Sequence, residues 1–254
     1  MSSKTARRGL VCLGTGLAVA ILGGCQLFSG GNQPLPTATL LPTPQVITAQ
    51  VSTGASAWRS QLHDCTANLP EIGLVVDDVP TGAIDLAEAD LAIRIDEPET
   101  MGGPAYPVGS TRLRAIVNPQ NPVDELTPDV LSAIFRGEIS DWSQLDGFPV
   151  EPLSLQAWTY LSGEDVRLAF EKALLPGAAG LNRARLAPSP QAMREAVAAD
   201  PGAIGYLPEE WLDDTVKAVE LDSGLQTQLT FPVLALTPAE PEGLTRKLLG
   251  CLQE

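Results

Sequence analysis

The sequence predicts an α/β protein. Beyond residue 45, short apolar runs of strand length alternate with segments whose apolar residues recur at helical spacing, and turn residues separate the two. The stretch from about Val46 to Glu254 is long enough for one large or two small domains with proper cores.

The N-terminus stands outside that fold. Lys4, Arg7 and Arg8 precede an apolar run from Leu10 to Leu22 that is too short and glycine-interrupted for a comfortable membrane span, so residues 1–24 read as a signal peptide. The run ends in Leu22-Gly23-Gly24-Cys25, which resembles the lipobox of bacterial lipoproteins. That resemblance implies cleavage before Cys25, lipid on its sulfur, and an extracytoplasmic protein held to the membrane by its acyl chains. Residues 25–45 follow as a tether: Ser29-Gly30-Gly31 and the prolines 34, 36, 42 and 44, mixed with threonines, cannot pack and stay extended.

Val46 to Val51 is the first predicted strand. The turn Ser52-Thr53-Gly54-Ala55-Ser56 leads into a helix through Trp58, Leu62 and Cys65, closed by Pro70. Strands follow at Ile72 to Val76, Leu91 to Ile95 and Leu113 to Val117, the last stopped by Asn118-Pro119. The best-defined helix has Thr127 as N-cap, Pro128 at its first position, an apolar stripe of Val130, Leu131, Ile134 and Phe135, and Gly137 at its end. A strand near Pro152 to Leu155 precedes a helix capped by Ser162, with Asp165 placed as in a capping box. Ser189-Pro190 opens another helix. Ala203 to Leu207, Ala218 to Leu221 and Phe231 to Leu236 supply late strands, and a last helix runs from about Glu242 to Leu252.

Charge and cysteines narrow the function. Without the signal segment, 13 basic residues face 31 acidic ones, a net of about −18, which repels nucleic acid and anionic lipid heads. His63 is the only histidine, and no Cys or His cluster has metal-ligand spacing, so a zinc site or His-dependent triad is not expected, nor is any cofactor. Cys12 leaves with the signal and Cys25 takes lipid. Cys65 and Cys251 remain in an exported domain, where a disulfide between them is predicted and two buried free thiols are the alternative.

The stretch Ala115-Ile116-Val117-Asn118-Pro119, then Asn121-Pro122, Leu126-Thr127, Ile134-Phe135-Arg136-Gly137-Glu138-Ile139 and Trp142 resembles a signature of phosphate-type substrate-binding proteins of ABC transporters. Gly202-Ala203-Ile204-Gly205-Tyr206 and Phe231-Pro232-Val233 are similar to later pieces of that family. The resemblance implies a two-lobed, type II periplasmic-binding-protein-like fold with a ligand cleft, one lobe of residues 46–117 plus 207–254 and another of 118–206. It also puts the helices of Cys65 and Cys251 in one lobe, implies an ABC permease as partner and a small solute, an oxyanion, as ligand, and implies no catalysis.

Oxyanion binding needs clustered backbone N–H groups at helix N-termini, helped by hydroxyls. Two places offer this: Ser52, Thr53, Gly54 and Ser56 after the first strand, and Ser162-Gly163-Glu164 before a later helix. The resemblance adds Asp90 as acceptor of a phosphate proton. It also exposes two departures: Trp158 stands where the family has an arginine, and Glu164 replaces a threonine. Arg94, Arg112 or Arg167 substitutes only where the fold brings one into the cleft. A surface scaffold or sensor that has lost the anion site is the rival reading.

Overall fold

The computed structural model describes residues 43–100, 102–148, 152–175 and 183–254. The signal segment, Cys25 and most of the tether lie outside these residues. The described residues pack as one unit around a mixed sheet.

Strands β1 (Gln45–Ser52), β2 (Ile72–Val79) and β3 (Leu91–Ile95) are parallel, with β1 in the middle. Strand β4 (Ala105–Val117) is twice the length of its neighbours and joins two halves of the sheet. Its first part pairs antiparallel with β9 (Thr230–Leu236), which lies against β3. Its second part pairs with β7 (Ala203–Pro208), beside which lie β5 (Gln156–Tyr160) and β6 (Arg185–Ala187). The two-residue β8 (Lys217–Ala218) also pairs with β4. The full order is β2-β1-β3-β9-β4-β7-β5-β6. Among the described residues there are six α-helices: α1 (Arg59–Ala67), α2 (Pro128–Arg136), α3 (Asp165–Leu174), α4 (Pro190–Ala198), α5 (Ser223–Gln228) and α6 (Gly243–Leu252).

Local chemistry sets the boundaries. At α2, Thr127 accepts a hydrogen bond from the Val130 amide, and Gly137 ends the helix at φ +75°, a left-handed position that suits glycine. Ser189 caps α4 by accepting from the Ala192 amide. The amides of Asn118 and Asn121 donate to Val197, Ala198 and Pro201, satisfying carbonyls at and after the end of α4. Trp142, fully buried, donates from its ring to Gly202 O. These signature residues hold the fold together by packing and hydrogen bonding.

Four sequence expectations need correction. β4 begins eight residues before Leu113, because a proline and a glycine hide its first half and a bulge absorbs them between Pro107 and Gly109. The expected strand at Pro152 to Leu155 is a single bridge from Ser154 to Asp141, and the real strand is β5. The Ala218 to Leu221 strand shrinks to β8, and the short α5, capped by Asp222, follows it. Ser162 does not cap α3: the chain turns at Gly163 (φ +89°), Glu164 takes the cap position without a side-chain cap bond, and Asp165 is the first helical residue.

Cys65 on α1 and Cys251 on α6 stand as a pair at a separation that suits a disulfide, with their Cα atoms 5.8 Å apart.

Candidate functional site

Because β1 and β3 are parallel, their carboxyl ends share one edge of the sheet, and the N-terminus of α3 packs against that edge. At its centre is Asp165, 1% exposed. Its Oδ2 accepts from Ser52 Oγ at 2.6 Å and from the Ile95 amide at 2.9 Å, while Oδ1 accepts from the Val166 amide at 2.8 Å. Ser52 Oγ is oriented by accepting from the Ala55 amide at 3.1 Å. A Cβ at position 54 would collide with Asp165 Oδ1 and Val166, so glycine is what lets α3 approach this turn.

A second set of bonds lies alongside. Glu164 Oε2 accepts from the Thr81 hydroxyl at 3.1 Å and the Thr81 amide at 3.3 Å, and Thr81 Oγ1 accepts from the Asp165 amide at 3.0 Å. Thr81 thereby supplies the partner that Ser162 was expected to provide for the first amide of α3. The result is a donor cradle drawn from β1, β3 and the turn after β2, filled by carboxylates of α3.

Burial raises the pKa of Asp165 above the ordinary carboxylate range, against the lowering effect of its bonds to Ser52 and Ile95 and of nearby Arg94. Burial likewise raises Glu164, against its bonds to Thr81. A carboxyl whose pKa is higher folded than unfolded takes up protons on folding, so its ionisation weakens the fold as pH rises through the folded value. The melting temperature should therefore rise as pH falls through their folded values, the contribution being complete below the ordinary carboxylate pKa of about 4, with acidic self-repulsion falling in the same direction. Asp141 and Asp213, held low by hydrogen bonds from Ser143 and Thr215, act oppositely, and their contribution is lost at lower pH. Melting curves of wild type and Asp165→Asn test this: the variant should show a flatter acid rise, and an unchanged slope would refute the assignment.

The structure brings Ser52, Gly54 and Glu164 into this cluster. The hydroxyls of Thr53 and Ser56 are turned to the carbonyls of Val79 and Thr53, so both act as turn formers. Ser162 and Gly163 lie exposed on the loop before the cluster. Asp90 needs correction: it sits at the amino end of β3, level with Thr48, whose amide it accepts, and is four residues from Ser52 along β1, about 13 Å at strand rise. The carboxylate at the correct end is Asp96, in the left-handed region at φ +58° and paired with Lys172 at 2.8 Å. The carboxyl-end rule for ligands in open α/β sheets signals Asp96 over Asp90. Asp165 gave only a capping signal, because its partners are more than 60 residues away in sequence.

Of the three candidate arginines, Arg94 reaches the site, adjoining Thr81 and Asp165 in a cavity of ≈ 680 Å³. Arg112 faces Glu209, and Arg167 binds Glu171 and the Tyr160 carbonyl. Trp158 packs partly buried on β5 beneath the Arg185 guanidinium, 5.6 Å from its ring centre.

Residues 52–243 match the PBP superfamily domain. The chain belongs to that superfamily. The phosphate-binding protein PstS of Bacillus subtilis (strain 168) is 29% identical over 198 residues, which is 71% of this chain and 63% of that relative's length. Many solved structures share the fold, two of which follow. One is a putative phosphate ABC transporter substrate-binding protein with bound phosphate from Clostridium perfringens (TM-score 0.70, 16% identity, 82% of this chain and 91% of that one). The other is an ABC-type phosphate transport receptor from Vibrio cholerae (TM-score 0.63, 21% identity, 82% and 93%). The α/β architecture expected from the sequence is thus that of a PBP superfamily member. Among the described residues, no helix is long and apolar enough to cross a membrane.

Proposed function

We propose that this chain is the extracytoplasmic solute-binding component of an ABC-type uptake system, lipid-anchored at Cys25, and that it takes a small anionic solute, phosphate or another oxyanion among the candidates. It captures solute by movement of two lobes, residues 46–117 plus 207–254 and 118–206, about β4 and the end of β7, and delivers it to a permease without chemistry of its own. The observation that carries this reading is the donor cradle at the carboxyl ends of β1 and β3. Ser52 Oγ–H and the Ile95 amide converge on one carboxylate oxygen, Asp165 Oδ2, and a ligand oxygen has the same requirement. The names of the PstS relative and of the two structural neighbours support an anion and a permease.

One observation favours the rival reading of a surface sensor or protein-binding scaffold: the cradle already holds Asp165, and Trp158 stands at the sequence position where the family carries an arginine. Thermal melting of the purified protein across oxyanions and small organic acids separates the two. A ligand at a hundred times its dissociation constant adds about 2.7 kcal/mol of stability, a shift of roughly 5–10 °C for a domain of this size. Such a shift supports the receptor. A flat response to every solute would leave the scaffold.

A further inference from the structure

The two lobes proposed above meet at the start of α3. Ser52, Thr81, Ile95 and Asp96 lie in the lobe of residues 46–117 plus 207–254, and Glu164, Asp165 and Lys172 in that of 118–206. Across the seam, Asp165 Oδ2 accepts from Ser52 Oγ and the Ile95 amide, and the Asp165 amide donates to Thr81 Oγ1. Glu164 Oε2 accepts from the hydroxyl and the amide of Thr81, and Lys172 Nζ donates to Asp96 at 2.8 Å. Asp165 and Lys172 lie about two turns apart on one face of the helix, so a single rigid element carries these contacts. Ser52, Asp165, Glu164 and Thr81 are all buried, which shields their bonds from competing water.

Two features mark this seam as one that opens. It is polar: donors and acceptors of this kind find water when they part, whereas a packed apolar seam between lobes would resist separation. It is also loosely filled. A cavity of ≈ 680 Å³ lies beside the bonds, lined by Thr81, Arg94 and Asp96 from one lobe and by Gly163, Leu168 and Lys172 from the other. Closure nevertheless needs nothing from outside, because the donors of the first lobe are already satisfied by the chain's own carboxylates. We propose that the start of α3 is an internal latch, which holds the cleft shut by placing Asp165 and Glu164 on the donors that a solute oxygen would use. This rests on the two-lobe division of the receptor reading and on no particular solute. A solute then enters only the unlatched fraction of molecules, and its apparent affinity is reduced by that fraction.

The test is the distance between two spin labels on the full chain in detergent. Glu99 and Glu138, exposed residues of the two lobes that take no part in the latch, are each replaced by a noncanonical residue that carries the label and leaves the native cysteines untouched. Without solute a single short distance should be seen, and excess inorganic phosphate should leave it unchanged. Ser52→Ala with Thr81→Val, which removes the two hydroxyls from the seam, should raise the ratio of long to short distances about tenfold or more. Should that variant fail to fold, Lys172→Glu at an exposed position sets two acids against each other across the seam, and it should produce the longer distance as well. The proposal is overturned by a solute-free wild type already at the longer distance, or by variants that keep the wild-type distance. A long distance in wild type that phosphate shortens would overturn the latch and spare the receptor reading. Variants that open while no solute raises the melting temperature would sustain the latch and remove the receptor.

Discussion

Opening the Cys65–Cys251 bridge should be among the costliest changes this protein can suffer. The two cysteines are 186 residues apart in sequence. In the chain-entropy account, closing a loop of that length restricts the unfolded ensemble by about 5 kcal/mol, and native bridges commonly contribute about 2–5 kcal/mol when removed. Little else compensates locally. The N-terminal end of α1 has no side-chain cap and its first turn carries no acid to complement the helix dipole, while at the other end the Asn68 side chain donates to the Asp64 carbonyl at 3.3 Å. Lys247 and Glu71 form an exposed pair between α6 and the start of β2, worth at most about 1 kcal/mol. What remains is apolar burial, with Leu62 on α1 and Leu248 and Leu252 on α6 in the core. Cys65→Ser with Cys251→Ser should therefore lower the melting temperature by roughly 10 °C, and reductant should do the same to wild type but nothing to the variant. Equal melting of oxidised and reduced wild type would show that the bridge adds no stability.

That pairing was expected from elimination among four cysteines and from the resemblance that put both helices in one lobe, and the α/β class was legible from periodicity. Both depend on local or countable features. Helix α2 illustrates the favourable case: cap, proline, stripe and terminal glycine all sit within eleven residues and agree with one another. The first half of β4 is the opposite case, since Pro107 and Gly109 argue locally against a strand that its partner β9 holds in place. At the site, the turn from Ser52 to Ser56 was readable as a loop after a strand, but hydroxyl direction was not. Thr53 and Ser56 spend theirs on nearby carbonyls, and only Ser52 faces α3. Asp90 was misplaced because it lies before its strand, where the chain runs toward the site and has not reached it.

Asp165 is the residue whose replacement should change behaviour most. Its carboxylate is an acceptor for three hydrogen bonds in a buried position, so Asp165→Ala leaves the Ser52 hydroxyl and the Ile95 and Val166 amides facing a void. An unpaired buried polar group costs about 1–3 kcal/mol, and relief of a poorly solvated acid offsets part of the sum. A net loss of about 2–4 kcal/mol follows, or roughly 5–15 °C in melting temperature. The void left behind has the donors and the shape of a carboxyl group. Formate, acetate, sulfate or phosphate added to Asp165→Ala should occupy it and restore stability by mass action, whereas wild type, whose own carboxylate fills the position, should gain nothing there. Asp165→Asn, which keeps one acceptor oxygen, should lose less and be rescued less. If Asp165→Ala melts lower and no small anion raises it again, the pocket around Asp165 is a structural joint and has no capacity for an anion. If rescue is seen, one carboxylate on α3 is what separates this chain from an open oxyanion site.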